Sequence, residues 1–105
     1  MDKINQIYKR EQFKIYQTKD KNEYVLQNYK MSDFAHTHVK NMSACKMLIE
    51  LSLGKRIPYD LPPYFIISLI RINDDEEYVR KLNELLISKN NRKNMYYNVN
   101  KGLRA

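Results

Sequence analysis

The chain has 105 residues, a length that fits one domain with a single modest core and leaves little room for a second one. Hydrophobic residues make up 43% of it and charged residues 30%, which is typical of a folded domain and not of a disordered segment. The formal net charge of +7 favours anionic partners, although the Lys- and Asn-rich residue usage of AT-rich coding sequences accounts for part of it.

The cysteine content and the apolar runs indicate a cytoplasmic protein with no membrane association. Cys45 is the single cysteine, so an internal disulfide is excluded and a reducing compartment is favoured. The N-terminus does not resemble a signal peptide, and the longest apolar run, 64–70, is too short to cross a bilayer. We expect one domain, 1–105.

The N-terminal part of the chain changes its periodicity near residue 12. Ile4, Ile7 and Tyr8 have helical spacing and predict about two turns of amphipathic helix. From residue 12 to about residue 28 the pattern has period two and predicts a β-hairpin (about 12–28). Its turn lacks glycine, so a loop of four or five residues is expected. The following segment, 32–41, is either a short third strand or an extended loop.

The middle of the chain, about 43–89, predicts a helical core. Ser43 is a candidate N-cap for a first helix that ends near Gly54. Pro63 can begin a second helix that reaches about Arg71, although a buried strand is an alternative for this apolar segment.

A third helix is predicted to follow, with Asn73 and Asp74 as candidate caps, and to end near Lys89. A single rod over 63–89 is the alternative, because neither glycine nor proline enforces a break. Residues 90–105 lose the periodicity and predict a basic tail. The predicted fold class is therefore α+β, with an N-terminal antiparallel sheet of two or three strands packed on two or three helices.

The positive charge is concentrated at the two ends of the chain. Residues 1–30 hold seven basic and four acidic side chains, and residues 90–105 hold four basic side chains and no acidic one. If the hairpin and the tail share one side of the molecule, they form a face that contacts phosphates, with tyrosines between the charges as stacking platforms. The tyrosines of the hairpin in this pattern are Tyr16, Tyr24 and Tyr29. The candidate binding residues are Lys14, Lys19, Lys21, Arg92, Lys93, Tyr96, Tyr97 and Lys101. Ordinary solvated lysines and half-buried strand tyrosines are the alternative interpretation.

Catalytic and metal chemistry has little support in this sequence. His36 and His38 would project from one face of a strand, but no second cluster of His or Cys completes a tetrahedral metal set. A small ribonuclease that uses one of these histidines as general base is a minor possibility. Cys45 lies among apolar helix residues and is expected to be a small core residue. We expect no enzyme activity, no metal and no cofactor.

Two classes of function fit these observations. The first is a nucleic-acid-binding accessory or regulatory protein that uses the basic, tyrosine-rich face. The second is a protein-binding inhibitor or adaptor, of the kind that phages and mobile elements encode, in which the same face covers an acidic or nucleic-acid-binding site on a larger partner. The apolar segment 64–72 also predicts a possible homodimer contact.

Overall fold

The computed structural model describes residues 4–20, 23–32 and 35–104, with side chains for 5–20, 23–32 and 35–90. Four strands form the N-terminal half: β1 (Ile4–Arg10), β2 (Phe13–Thr18), β3 (Tyr24–Asn28) and β4 (His36–Val39). Three helices follow: α1 (Met42–Gly54), α2 (Pro63–Ile72) and α3 (Glu76–Arg104). This architecture confirms the predicted α+β class and the N-terminal hairpin packed on helices.

The strands form one antiparallel sheet in the order β1-β2-β3-β4, so each strand pairs with its neighbours in sequence. In the predicted hairpin, Ile15 lies opposite Leu26, and both side chains are fully buried. Because successive side chains of a strand point to opposite faces, Phe13 lies on the same inner face as Ile15. The alternation in the sequence therefore decides which face of the sheet the helices cover.

The prediction of a helix that contains Ile4, Ile7 and Tyr8 is wrong, because residues 4–10 form strand β1. Its pairing with β2 shifts between Gln6 and Tyr8, which leaves Ile7 as an extra residue in a β-bulge. The bulge interrupts the period of two and brings apolar residues to spacings that resemble a helix. The sequence also contains no signal for the turn between β1 and β2. Its residue with positive φ, 53°, is Glu11, whereas glycine or asparagine is usual at such a position.

Segment 32–41 contains the short strand β4, which settles the choice between a strand and a loop. β4 pairs with β3 through Leu26 and Thr37 and is the last strand of the described sheet. Helix α1 begins directly after it. The N-cap is Asn41, whose side-chain oxygen accepts a hydrogen bond of 2.8 Å from the backbone N–H of Ala44, so the prediction of Ser43 as cap is wrong.

Helix α1 ends at Gly54, as the sequence predicts, but the cap conformation belongs to the next residue. Gly54 is the last helical residue, and the left-handed conformation that follows belongs to Lys55, with φ 52°. The backbone N–H of Lys55 donates back to the carbonyls of Leu51 and Ser52, which terminates the helix.

The region 63–89 contains a helix boundary and is not one rod. Pro63 begins α2, as predicted, and the strand alternative for this segment is wrong. Asn73 is extended, with φ −128° and ψ 143°, and ends α2. The cap of α3 is Asp75, whose carboxylate accepts a hydrogen bond of 2.8 Å from the N–H of Tyr78. The prediction of Asn73 and Asp74 as caps of α3 is therefore wrong, and the next residue is the cap. The backbone of the predicted tail, 90–105, continues α3 as far as Arg104.

Buried polar side chains connect α2 to the rest of the molecule. Asn28, at the end of β3, donates a 2.9 Å hydrogen bond to the carbonyl of Ile72. The hydroxyls of Thr37 and Ser68 join β4 to α2 at 2.8 Å. Asn73 donates to the hydroxyl of Ser52 in α1 at 2.9 Å. All these polar side chains are nearly inaccessible to solvent, so each bond forms in a dry environment where a missing partner costs the most.

Tyr78 fixes the start of α3 against the end of α1. Its hydroxyl lies 3.2 Å from the carbonyl of Leu51 and 2.9 Å from that of Arg56, to which it donates. Burial raises the pKa of Tyr78 to about 12, an effect that the nearby Arg56 charge opposes. Within the part of the chain that the structure describes, no helix is both long and apolar enough to span a bilayer.

The Asn28→Ala variant is expected to lose about 2 to 3 kcal/mol of unfolding free energy. The substitution removes the bond to Ile72 and the acceptor for the N–H of Lys30, and it leaves the Ile72 carbonyl unpaired next to a fully buried side chain. Urea denaturation measures this loss. Gln27→Ala, one residue earlier on the opposite face, is the control and should change stability by less than about 0.5 kcal/mol. Equal effects of the two substitutions would contradict this account.

The free energy of unfolding should decrease at alkaline pH as the hydroxyl of Tyr78 ionises. The pKa of the folded state, about 12, is above the ordinary value of 10.0, so the stabilisation is complete below pH 10 and is lost as the pH rises from 10 towards 12. Denaturation measured over this range should show a smaller alkaline loss in Tyr78→Phe than in the parent. Tyr59→Phe, at a site that is 84% exposed, is the control and should follow the parent. If the free energy of unfolding of Tyr78→Phe decreased with pH as steeply as that of the parent, Tyr78 would not be the group that causes the alkaline loss.

Candidate nucleic-acid interface

The outer face of the sheet presents basic, aromatic and amide side chains to solvent. It is formed by the strand residues that alternate with the core positions, and none of them is buried. They include Lys9, Lys14, Tyr16, Val25, Gln27, His36 and His38, and the ring of Tyr29, which follows β3, lies on the same side. We call this surface the open face.

A pair of lysines is the main electrostatic feature of the open face. Lys9 of β1 and Lys14 of β2 are direct cross-strand partners, so their side chains leave the sheet side by side. The two ammonium groups lie over the ring of Tyr29, at 5.2 Å and 4.7 Å from its centre. Two like charges at directly opposite positions destabilise a sheet, and the electron-rich ring offsets part of that repulsion.

Tyr29 is held in place by the turn between β1 and β2. Its backbone N–H donates to the carbonyl of Gln12 at 3.0 Å, and its hydroxyl donates to the carbonyl of Glu11 at the same distance. The ring remains 38% exposed. A ring anchored at both ends keeps the two lysines close together and partly accessible from solvent.

The lysine pair carries positive charge that no nearby acid neutralises. Among the residues whose side chains the structure describes, no carboxylate lies within 4.0 Å of the Lys9 or Lys14 ammonium group. Arg10, by contrast, points to the helical side and pairs with Glu50 of α1. An uncompensated pair of cations of this kind attracts an anion, such as a phosphate group, from solution.

The two histidines lie together on the open face at its other edge. The rings of His36 and His38 meet edge to face with their centres 5.3 Å apart. Nδ1 of His38 lies 2.7 Å from a carboxylate oxygen of Glu23, which orients that ring. Within the described residues, no group of three or more His, Cys, Asp or Glu side chains is placed to hold a metal ion.

Cys45 lies in the core of α1 and not at the surface. Its side chain is fully buried, and desolvation raises the pKa of its thiol to about 11. A thiol with so little thiolate at neutral pH is a poor nucleophile, in agreement with its expected role as a small core residue.

Of the predicted binding residues, only two have side chains in the described part of the structure. Lys14 lies on the open face, and Lys19 is exposed in the loop between β2 and β3. Lys21 lies outside the described residues. The backbone of the predicted tail residues is part of α3, but their side chains are outside the described part of the structure. These residues are Arg92, Lys93, Tyr96, Tyr97 and Lys101.

Of the tyrosines that the sequence associated with this face, Tyr16 and Tyr29 belong to it and Tyr24 does not. Tyr24 is paired with Val39 and packs against the core. Lys9 was missed altogether, since the bulge at Ile7 made residues 1–10 resemble a helix. The signal that could have revealed it is the alternation of Tyr8, Lys9 and Arg10 immediately before the hairpin.

Comparison of the chain with protein-family models, with curated proteins and with solved structures gave no match. We therefore infer a function from the geometry of the open face.

Replacing one lysine of the pair by glutamate should stabilise the fold. In Lys9→Glu a repulsive cross-strand pair becomes an attractive one, and we expect unfolding free energy to rise by ~0.5 kcal/mol. Thermal and urea denaturation at low salt measure the gain. Lys81→Glu, which has the same change of charge on an exposed site of α3, is the control and should not stabilise. A loss of stability in Lys9→Glu would contradict this expectation and show that the contact of Lys9 with the Tyr29 ring outweighs the repulsion between the lysines.

Proposed function

We propose that this protein binds single-stranded nucleic acid across the open face and acts by binding, without catalysis, as an accessory or regulatory protein. The observation that carries the proposal is the lysine pair of Lys9 and Lys14 over Tyr29, which has no acidic partner within ion-pair distance among the described side chains. The pair lowers the stability of the sheet, as expected for a group of charges whose natural partner is absent.

The shape of the surface favours a single strand over a duplex. A sheet with helices on one side offers a broad, gently twisted surface, and exposed rings on such a surface stack on unpaired bases. Tyr16 and His36 are ring-bearing residues of the open face. Gln27 lies between Lys14 and His36 in the sheet, and its amide can form hydrogen bonds to base edges. We place the phosphates at the lysines and the bases towards β3 and β4.

The basic residues of the tail extend this proposal. Arg92, Lys93, Tyr96, Tyr97 and Lys101 are proposed to add contacts to the same strand, together with Lys19 and Lys21 near the hairpin loop. We propose the cytoplasm as the compartment, because the only cysteine of the chain is a reduced core residue.

Binding should depend strongly on salt and on the lysine pair. With about three phosphates neutralised on a single strand, log K should fall by about 2 per tenfold increase in salt, so affinity decreases about 20-fold between about 50 and 200 mM. Fluorescence anisotropy with a labelled oligo(dT) or oligo(U) of about 12 nucleotides measures both quantities. The Lys9→Glu/Lys14→Glu variant should bind at least about tenfold more weakly at the lower salt and with a smaller slope.

Lys81→Glu/Lys89→Glu is the matched control for that experiment, because it makes the same change of net charge on the described part of α3. It should retain most of the affinity. Equal weakening by the two double variants would contradict an interface on the open face and indicate attraction by net charge alone. No binding by the parent at about 50 mM salt would contradict the proposal itself and favour the alternative, an acidic protein surface as the partner.

A further inference from the structure

A groove lies on the side of the molecule away from the lysine pair. Its cavity volume is about 500 Å³, and it is bounded by β4, by the start of α1 and by one side of α2. The lining residues include Thr37, His38 and Val39 of the strand, and Tyr64, Ile67 and Arg71 of the helix. Because β1 and β4 are at opposite ends of the strand order, this groove is separate from the lysine pair.

The groove follows the free edge of β4. Thr37 and Val39 point to the core and are buried, whereas His38 points to the open face. A cavity that touches three consecutive residues of a strand, with side chains on both faces, must reach the strand's edge. In the described sheet β4 pairs only with β3, and Asn28 donates to the carbonyl of Ala35, so Thr37 and Val39 turn their backbone groups towards β3. The backbone N–H and C=O groups of His38, which lines the groove, therefore point away from β3 on this edge.

The opposite wall of the groove is an exposed apolar stripe of α2. Tyr64, Ile67 and Arg71 are three and four residues apart, so they follow one side of the helix. Tyr64 is 64% exposed and Ile67 is 38% exposed, although the helix is otherwise packed into the core. The hydrogen bond between Thr37 and Ser68 holds this wall at a fixed distance from β4.

The charged residues of the groove have one sign. Lys40 and Arg71 line it, and among the described residues no carboxylate does so, although the carboxylate of Glu23 lies 2.7 Å from Nδ1 of the lining residue His38. Neither cation takes part in an ion pair among the described residues. The positive end of α1, which begins beside Lys40, adds to the same field.

We propose that the groove binds an extended acidic peptide segment of a partner protein, which adds to β4 as a further strand. An apolar side chain of the peptide packs on Tyr64 and Ile67, and its carboxylates lie near Lys40 and Arg71. Strand addition uses the free backbone groups for affinity and the flanking side chains for specificity. A second copy of this chain is a poor occupant, because symmetric pairing through β4 would bring the same cations together. The protein would then connect a nucleic acid on one side with a protein on the other.

The probe for this proposal is a phage-displayed library of random peptides of about twelve residues, selected on the full-length protein. The enriched sequences are expected to be acidic with alternating apolar residues. A synthetic peptide of the commonest sequence should bind with a Kd that increases at least about tenfold in Ile67→Asp and in Arg71→Glu. In the parent, the peptide should slow amide hydrogen exchange of residues 36–39 and shift their NMR signals.

Matched controls are Ile87→Asp, at an exposed apolar site of α3, and Lys81→Glu. Both should bind the peptide as the parent does, and circular dichroism should show that all four variants are folded. Three results would overturn the proposal: no enrichment over selection on the Ile67→Asp variant, enrichment of basic peptides, or signals that shift on the open face and not in β4 and α2. A dimer in light scattering that Ile67→Asp dissociates would also overturn it, since a second copy would then occupy the groove. Peptide binding should not change in Lys9→Glu/Lys14→Glu. A result that contradicts the peptide site can therefore be distinguished from one that contradicts nucleic-acid binding on the open face.

Discussion

Side chains on a strand point alternately to two faces of a sheet, and in this chain only one of those faces is apolar. Phe13, Ile15 and Leu26 supply the apolar face, so α1 and α2 must pack there to remove it from water. The other face then remains in solvent, with its lysines, tyrosines and histidines. The open face follows from this one-sided arrangement, because a sheet covered on both sides would have no face left in solvent.

Helix α2 contacts both the sheet and the other two helices. Its buried side packs against the sheet and α3, and hydrogen bonds in dry surroundings join it to β3, β4 and α1. Buried polar pairs add geometric specificity to an apolar core, because only one position of the helix satisfies all of them. The same helix leaves Tyr64 and Ile67 exposed. The hydrogen bonds on the buried side of α2 fix the position of the helix, and they thereby set the width of the groove on its exposed side.

The sequence was most informative where local patterns agree with tertiary packing. Period two in β2 and β3, and Pro63 as the start of α2, were enough to predict the hairpin and the helical core. Prediction failed where one residue changes the local geometry, as at the bulge of Ile7 and at Glu11 in the left-handed region. For the candidate site, Lys14 followed from charge and alternation. Its partner Lys9 did not, because cross-strand register depends on that bulge and on the turn.

The bulge in β1 has a consequence for how this sheet can associate. A bulged strand twists and offers an irregular row of backbone groups, and Lys9 adds charge to it. The other edge, β4, is regular. Open-ended stacking of sheets needs two compatible edges on every molecule, one to donate and one to receive. With one edge irregular and charged, a strand added at β4 would leave the next molecule no place to continue, and we expect this asymmetry to oppose growth into fibrils.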